Sequence, residues 1–458
     1  MPSPHHQPLP LLEDLRRRSQ LQQCTHEAEL AAHLGAGPRR AYVGFDPTAD
    51  SLTIGNLVPI LALRRFQLAG HTPVVVMGGG TGLIGDPSGK TAERQLRSRE
   101  EVDANVRSQL TIFRRILDFT PGPTAPIVAN NADWLSGLSY LDALRDIGKH
   151  FSVNMMIQKE SVKERLHNRD QGISYTEFSY MILQAYDFAH LFYEHDVTVQ
   201  MGGSDQFGNI VVGIDLIRRI AHSRAGELAL QRPTFAYLTE AHKRNLNPEH
   251  VFGLTWPLVT KADGGKFGKT ESGAIWLTAK RSESDHSPSR TSPFAFYQFW
   301  LNTADADIPK FLNTFTFLDH DQIADLIARH TKDPGKREAH AALAEHMTGL
   351  IHGPEELEKV KQATRALFAK GDAGNDAPFV LPEDLLASAP TTTHDRALLA
   401  GTGMALVDLL AQTSLVKSKT EARTQLTQNA ISVNGRHAAL DARVTEATLL
   451  PGNLIALR

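Results

Sequence analysis

Two lysines three positions apart, Lys266 and Lys269, lie in the loop Ala262-Asp263-Gly264-Gly265-Lys266-Phe267-Gly268-Lys269-Thr270. On a glycine-punctuated loop they can swing onto a polyphosphate as point charges. A solvated basic turn is the plainer meaning of the same run. A second cationic pair, Lys90 and Arg94, follows the turn Met77-Gly78-Gly79-Gly80-Thr81-Gly82-Leu83-Ile84-Gly85-Asp86-Pro87-Ser88-Gly89, whose backbone N–H groups can face an anion. Two familiar nucleotide motifs fail in that turn. Gly80–Gly85 fits GxGxxG, but Asp86-Pro87-Ser88-Gly89 breaks the chain where a dinucleotide fingerprint must enter a helix. The Walker A match over residues 85–91 is one residue short, and Pro87 removes an N–H from the cradle.

Three further stretches carry chemistry. Phe45-Asp46-Pro47-Thr48-Ala49-Asp50-Ser51-Leu52-Thr53-Ile54-Gly55-Asn56 gathers hydroxyls and an amide ahead of an apolar helical run, where free N–H groups favour an anion or a simple N-cap. Tyr180, Gln184 and Asp187 share one face of an otherwise apolar helical pattern, so they need partners in the core or in a ligand. Met201-Gly202-Gly203-Ser204-Asp205-Gln206 permits close backbone approach and offers groups for a hydroxyl or amide. Near the C-terminus Lys417, Lys419, Arg423 and Arg436 make a modest basic patch, which fits RNA phosphates and a solvated face equally well.

The elements that must position these groups read as alternating apolar runs: Ala41–Phe45, Leu57–Leu68, Pro73–Met77, Ile112–Phe119, Ile127–Ala129, Tyr175–Phe192, Val197–Met201 and Gly208–Ile220. Short Val/Ile strands separated by helices predict an α/β fold with a doubly wound parallel sheet. Ligands of such sheets sit beyond the carboxyl ends of the strands, here after Phe45, Met77 and Met201. Residues 293–370 turn helical, 371–395 read as a linker, and 396–458 form a small α/β unit. In that unit Thr413–Asn429 is one helical pattern, and Asn434-Gly435 signals a hairpin. Residues 1–35 read as a polar helical lead-in.

Composition narrows the class. The chain has 458 residues, 41% of them hydrophobic and 22% charged, which suits about three globular domains. The net charge of −3 leaves a nucleic-acid partner to local patches. Its single cysteine excludes an internal disulfide and a CxxC metal or redox site. No apolar run approaches a membrane span, and the first ten residues lack a secretory apolar region, so a cytoplasmic location is expected.

Taken together and in this order, the stretches resemble the bacterial tyrosyl-tRNA synthetases, class I enzymes, from about Ala41 to the C-terminus. Val43–Leu52 leads into the HIGH signature position, Gly82–Gly89 reads GLIGDPSG, Gln200–Asn209 contains GGSDQ, and Lys266-Phe267-Gly268-Lys269-Thr270 stands for KMSKS. The resemblance implies a Rossmann-like catalytic domain over 1–278, a helical anticodon-side domain over 293–370 and an S4-like RNA-binding domain over 396–458. It implies that Tyr42 and Asp187 bracket the substrate phenol, and that Asp86, Tyr180 and Gln184 hold its ammonium. Gln206 would lie by the reacting carboxylate, and Asp46, Thr53, Gly55, Asn56, Gly203, Asp205 and Lys269 would receive ATP. Thr48, Lys90, Arg94, Lys266, Lys269 and Thr270 would gather around the pyrophosphate, and Lys417, Lys419, Arg423 and Arg436 would meet RNA. ATP with Mg²⁺, L-tyrosine and tRNA(Tyr) are the implied ligands, and a homodimer the implied assembly; no dedicated metal site is read.

The chain departs from the family at the HIGH positions, which read Thr53-Ile54-Gly55-Asn56. Asn56 keeps a neutral N–H donor, whereas the Thr53 hydroxyl is shorter than an imidazole, so Thr53→His is expected to raise the activation rate. Two other classes stay open on sequence alone. One is an RNA-binding protein with a disabled site, motivated by Thr53 and Asn56. The other is a nicotinamide oxidoreductase, motivated by Gly80–Gly85. Residues 221–252 and Arg281–Arg290 are longer than the family's connections and carry no readable purpose.

Overall fold

Val74, Val75 and Val76 are buried without a polar neighbour between them, as a strand covered on both faces requires. They form β3 (Thr72–Met77) in a six-stranded sheet with β1 (Gln23–Cys24), β2 (Arg40–Phe45), β4 (Ile127–Asn130), β5 (Val197–Gly203) and β6 (Phe252–Trp256). The computed structural model describes residues 9–85, 97–159, 162–163, 173–222, 246–262, 264, 267–270, 273–280, 287–368, 391–413, 415–450 and 452–457. Strand order is β1-β6-β5-β2-β3-β4; every pairing from β6 to β4 is parallel, and β1 adds an antiparallel edge. The chain winds outward from β2 through β3 to β4, then returns to β5 and winds the other way. The switch point therefore falls between β2 and β5, and the crevice opens at their carboxyl ends.

Helices connect the strands: Leu57–Leu68, Arg99–Ile116, Tyr175–His195 and Phe207–His222. Two of these starts have a local cause in a side-chain cap. Ser98 and Glu101 form a capping box, and Ser174 Oγ accepts from Glu177 N at 3.2 Å. The Tyr175–His195 helix stops where Asp196 takes a left-handed conformation at φ 51°. The helical lead-in comprises Leu11–Arg17 and Glu27–Gly35, with β1 between them.

Chain contacts define two units. The first joins Met1–Thr278 with Thr303–Leu343; the second joins Ala279–Asn302 with Ala344–Arg458. Within the first, buried Arg18 and Arg65 tie the sheet side to the helix Ile308–Phe315. Arg65 donates to the carbonyls of Thr314 (3.0 Å) and Thr316 (2.9 Å), and Arg18 to that of Leu318 (2.8 Å). Burial and the neighbouring Arg18 push Arg65 down to about 9, so its charge is held by three carbonyl dipoles rather than by water.

In the second unit, Leu406, Leu410, Ala422, Leu426 and Val444 close a small core. The single helical pattern expected over Thr413–Asn429 is shorter: the helix runs Lys419–Thr427, because Ser418 caps it by accepting from Glu421 N. Lys417 thus precedes the helix. The hairpin signal holds, with Ser432–Val433 paired to Arg436–His437 and positive φ at both Asn434 (48°) and Gly435 (81°), as a type I′ turn demands. The linker stretch 369–390 and most of the two long connections, 223–245 and 281–286, lie outside the described residues. Among the described residues no helix is long and apolar enough to cross a membrane.

Candidate active site

The crevice floor carries a phenol and a carboxyl that water does not reach. Tyr42 points from the middle of β2 and is 2% exposed; its hydroxyl has no hydrogen-bond partner among the described residues. Asp187, on the Tyr175–His195 helix, accepts from Asn131 Nδ2 at 2.9 Å and from Trp134 Nε1 at 2.7 Å. Burial, with the nearby Asp46 charge, raises Asp187 to about 7 despite these two donors. Burial, with the Asp187 charge second, holds the Tyr42 hydroxyl well above its ordinary range, so it stays protonated. An unpaired buried hydroxyl beside a buried, proton-hungry carboxyl is costly in the empty crevice, and an incoming hydroxyl can satisfy both.

Asp46, just past β2, accepts from Thr81 Oγ1 at 2.9 Å and from the Tyr180 hydroxyl at 3.2 Å. Gly78 is required there, because a side chain would strike Asp46 and Thr81. Thr81 Oγ1 also accepts from Asn131 Nδ2 (2.9 Å), so one amide links the Asp46 and Asp187 sides. Across the crevice Gln184, Gln206 and Asn209 form an amide cluster: Asn209 Nδ2 donates to Gln184 Oε1 (2.9 Å) and to Gln206 Oε1 (3.3 Å). Gln206 and exposed Asp205 sit on the turn that leaves Gly203 at the end of β5.

At the rim two loops are sewn together. Ile54 N donates to the Ile275 carbonyl (2.9 Å), Leu277 N to Leu52 (2.9 Å) and Ile275 N to Gly268 (3.1 Å). Gly268, at φ 79°, seats against Ile54 where a Cβ would come within 2.5 Å of its side chain. The hairpin Lys269–Thr270 with Gly273–Ala274 continues from it. Phe267 anchors this loop by stacking on Phe315 (5.0 Å) and meeting Phe311 edge-on (5.1 Å). In the facing turn both the Thr53 amide (3.0 Å) and the Thr53 hydroxyl (2.9 Å) donate to Asn56 Oδ1, which fixes the amide so that its Nδ2 is turned away. Thr53 is thus committed to orienting Asn56. Thr48 and Gly55 are exposed on the same rim.

Asp86, Lys90, Arg94 and Lys266 lie outside the described residues, as do the side chains of Lys269 and Thr270. In the second unit Lys417, Lys419, Arg423 and Arg436 are all exposed, and Lys419 Nζ is paired with Asp408 at 2.8 Å. Gly80–Gly85 forms a single tight turn over Thr81–Leu83, not the start of a dinucleotide-binding helix. Burial pushes the Cys24 thiol up to about 11, which keeps it protonated at neutral pH.

Residue spacing alone missed Asn131, Trp134 and Asn209, and also Gln200, whose Oε1 is buried and without a partner among the described residues, beside Tyr42 in the β2–β5 register. For Asn131 a signal existed: Asn130-Asn131 ends an apolar run, where parallel sheets place function. Trp134 gave none, since a tryptophan on a short helix reads as core.

Residues 36–369 match the family described as tRNA synthetases class I (W and Y), and 383–458 match the tyrosine–tRNA ligase SYY-like C-terminal domain. With the switch-point crevice, this defines a class I aminoacyl-tRNA synthetase with an appended C-terminal domain. The tyrosine–tRNA ligase of Yersinia pseudotuberculosis serotype O:1b is 45% identical, covering 98% of this chain and 96% of that protein. That of Pectobacterium carotovorum subsp. carotovorum is 46% identical over 94% and 91%. A C-terminally truncated mitochondrial tyrosyl-tRNA synthetase from Aspergillus nidulans superposes with a TM-score of 0.65 at 27% identity, covering 78% of this chain and 94% of that one. The chain belongs to the tyrosine–tRNA ligase family.

Proposed function

We propose that the chain activates L-tyrosine with ATP to tyrosyl-adenylate and passes the tyrosyl group to the 3′ end of tRNA(Tyr), with neither a protein nucleophile nor an editing domain. The observation that carries this reading is the unpartnered Tyr42 hydroxyl set beside the burial-strained Asp187 carboxyl. A phenol entering between them donates to Asp187 and accepts from Tyr42, which relieves both; phenylalanine relieves neither. Tyr180, Gln184 and Asp86 hold the substrate ammonium, and Gln206 steadies its carboxylate.

The carboxylate oxygen attacks the α-phosphorus of ATP and the bond to pyrophosphate breaks. A hydroxyl of the terminal tRNA ribose then attacks the tyrosyl carbonyl, and AMP leaves. The carboxylate is already a nucleophile, so catalysis is positioning plus stabilisation of the leaving charge. Gly203 and Asp205 receive the ribose; Asp46, Thr53, Gly55 and Asn56 lie along the nucleotide. Thr48, Lys90, Arg94, Lys266, Lys269 and Thr270 close on the pyrophosphate, acting chiefly in the transition state. Mg²⁺ would come with ATP and neutralise charge on its phosphates; Asp46 and Asp187 already accept two hydrogen bonds each and are not read as its ligands. Lys417, Arg423 and Arg436 meet RNA phosphates, Lys419 doing so by giving up Asp408.

The active form is a cytoplasmic homodimer. Leu141 (75% exposed), Val153 (58%), Tyr140 and Tyr175 leave an apolar surface on the first unit. ATP–pyrophosphate exchange with tyrosine, phenylalanine and tryptophan tests the central reading. Exchange with tyrosine alone is expected; none with any of the three, in folded protein, overturns it.

A further inference from the structure

Away from the crevice, three metal-capable side chains converge within the first unit. Asp305 lies on the turn Asp305–Asp307, His330 in the last turn of His320–Lys332, and His340 in the first turn of Glu338–His352. Their donor atoms lie within 4.8 Å of one another. His340 Nε2 is 3.1 Å from Asp305 Oδ1 and 3.0 Å from the Thr303 carbonyl oxygen, and His330 Nε2 is 3.7 Å from the same carboxylate oxygen.

We propose that Asp305, His330 and His340 bind a divalent first-row transition metal of the zinc type, with the Thr303 carbonyl or water completing its shell. Hydrogen bonding alone leaves this cluster unsatisfied. A neutral imidazole has one N–H, so His340 Nε2 serves only one of its two oxygen neighbours at full strength. The Nδ1 atoms of both rings are buried without partners among the described residues. A cation answers the crowding on the Nε2 side, since tetrahedral ligands about 2.0–2.2 Å from zinc sit roughly 3.3–3.6 Å from each other. The three separations, 3.1, 3.0 and 3.7 Å, each lie within a few tenths of an ångström of that spacing. Two imidazoles with one carboxylate suit zinc, nickel or cobalt better than an all-oxygen cation such as Mg²⁺. The Asp305 side chain is 60% exposed and gives the ion its way in.

The unpartnered Nδ1 atoms also set the strength. Without an oriented outer shell, affinity is expected to be roughly 10- to 100-fold weaker than at a zinc site whose rings are braced. The bound ion would tie the turn Asp305–Asp307 to two later helices, and Asp307 Oδ1 in that turn accepts from Ala262 N (2.9 Å) at the entry to the lysine loop.

The test is titration of the full chain with Co²⁺, followed by visible ligand-field absorption, and with Zn²⁺ by calorimetry. Since the chain has 20 histidines, the readout is the difference between wild type and variants. One saturable equivalent should appear in wild type and vanish in His330→Gln/His340→Gln and in Asp305→Ala. Asp305→Ala alters an exposed side chain, so it decides the matter if the double variant fails to fold. Equal stoichiometry in wild type and Asp305→Ala, or no saturable binding in wild type, overturns the proposal.

Discussion

Asp187 should make tyrosine recognition depend on pH. Its pKa moves from 3.8 to about 7, chiefly by burial. Because the shift is upward, the ionised form is what the fold disfavours. No penalty exists below the unfolded value, where both states are protonated; it grows as pH rises from 3.8 to 7, and above 7 it reaches about 4 kcal/mol. A tyrosine phenol adds a third donor to Asn131 and Trp134 and recovers part of that energy, but only from the ionised carboxylate. kcat/KM for tyrosine in pyrophosphate exchange should therefore be flat above pH 7.5 and fall tenfold per unit below 7. At pH 5.5 the loss is about 30-fold. Asp187→Asn removes a charge-assisted hydrogen bond of about 1.5–3 kcal/mol, which lowers kcat/KM roughly 10- to 150-fold at pH 8 and abolishes the acid limb. The assay is exchange from pH 5.5 to 8.5 at saturating ATP. A wild-type profile without an acid limb, or an acid limb that survives in Asp187→Asn, refutes the reasoning.

Other outcomes follow from the same geometry. Tyr42→Phe deletes a hydroxyl that has no partner, so the melting temperature without ligand should stay equal or rise, while preference for tyrosine over phenylalanine drops about 2- to 12-fold in competitive exchange. Phe267→Ala removes the ring stacked on Phe315 and should raise KM for ATP and speed proteolytic nicking of the 262–270 loop; unchanged values for both would show that the anchor is irrelevant. Thr53→Val releases Asn56 and should slow activation about 2- to 12-fold, with Thr53→Ser restoring it. Thr53→His must lose the same brace, so any gain in rate measures the imidazole net of that loss. Leu141→Asp places charge on the most exposed apolar side chain of its surface and should shift sedimentation from dimer to monomer.

Local pattern was enough for the sheet, the loops at strand ends and the hairpin. Val-rich runs between helices need no long-range information to read as parallel strands, and Asn434-Gly435 carries its turn in its own φ angles. The polar triplet Tyr180, Gln184 and Asp187 was legible because polar groups on an apolar helix must find partners. Which partners could not be read. Asn131 and Trp134 stand more than fifty residues before Asp187 and meet it only through the order β5-β2-β3-β4, which no local propensity encodes. The Thr53–Asn56 brace and the seating of Gly268 on Ile54 depend likewise on two distant loops arriving at one rim. The sequence by itself determined which groups were available and on what element each rode. The tertiary structure alone decided which were desolvated and paired, and so which carboxyl was driven toward neutral pH, because burial and Coulomb interaction depend on distance through space.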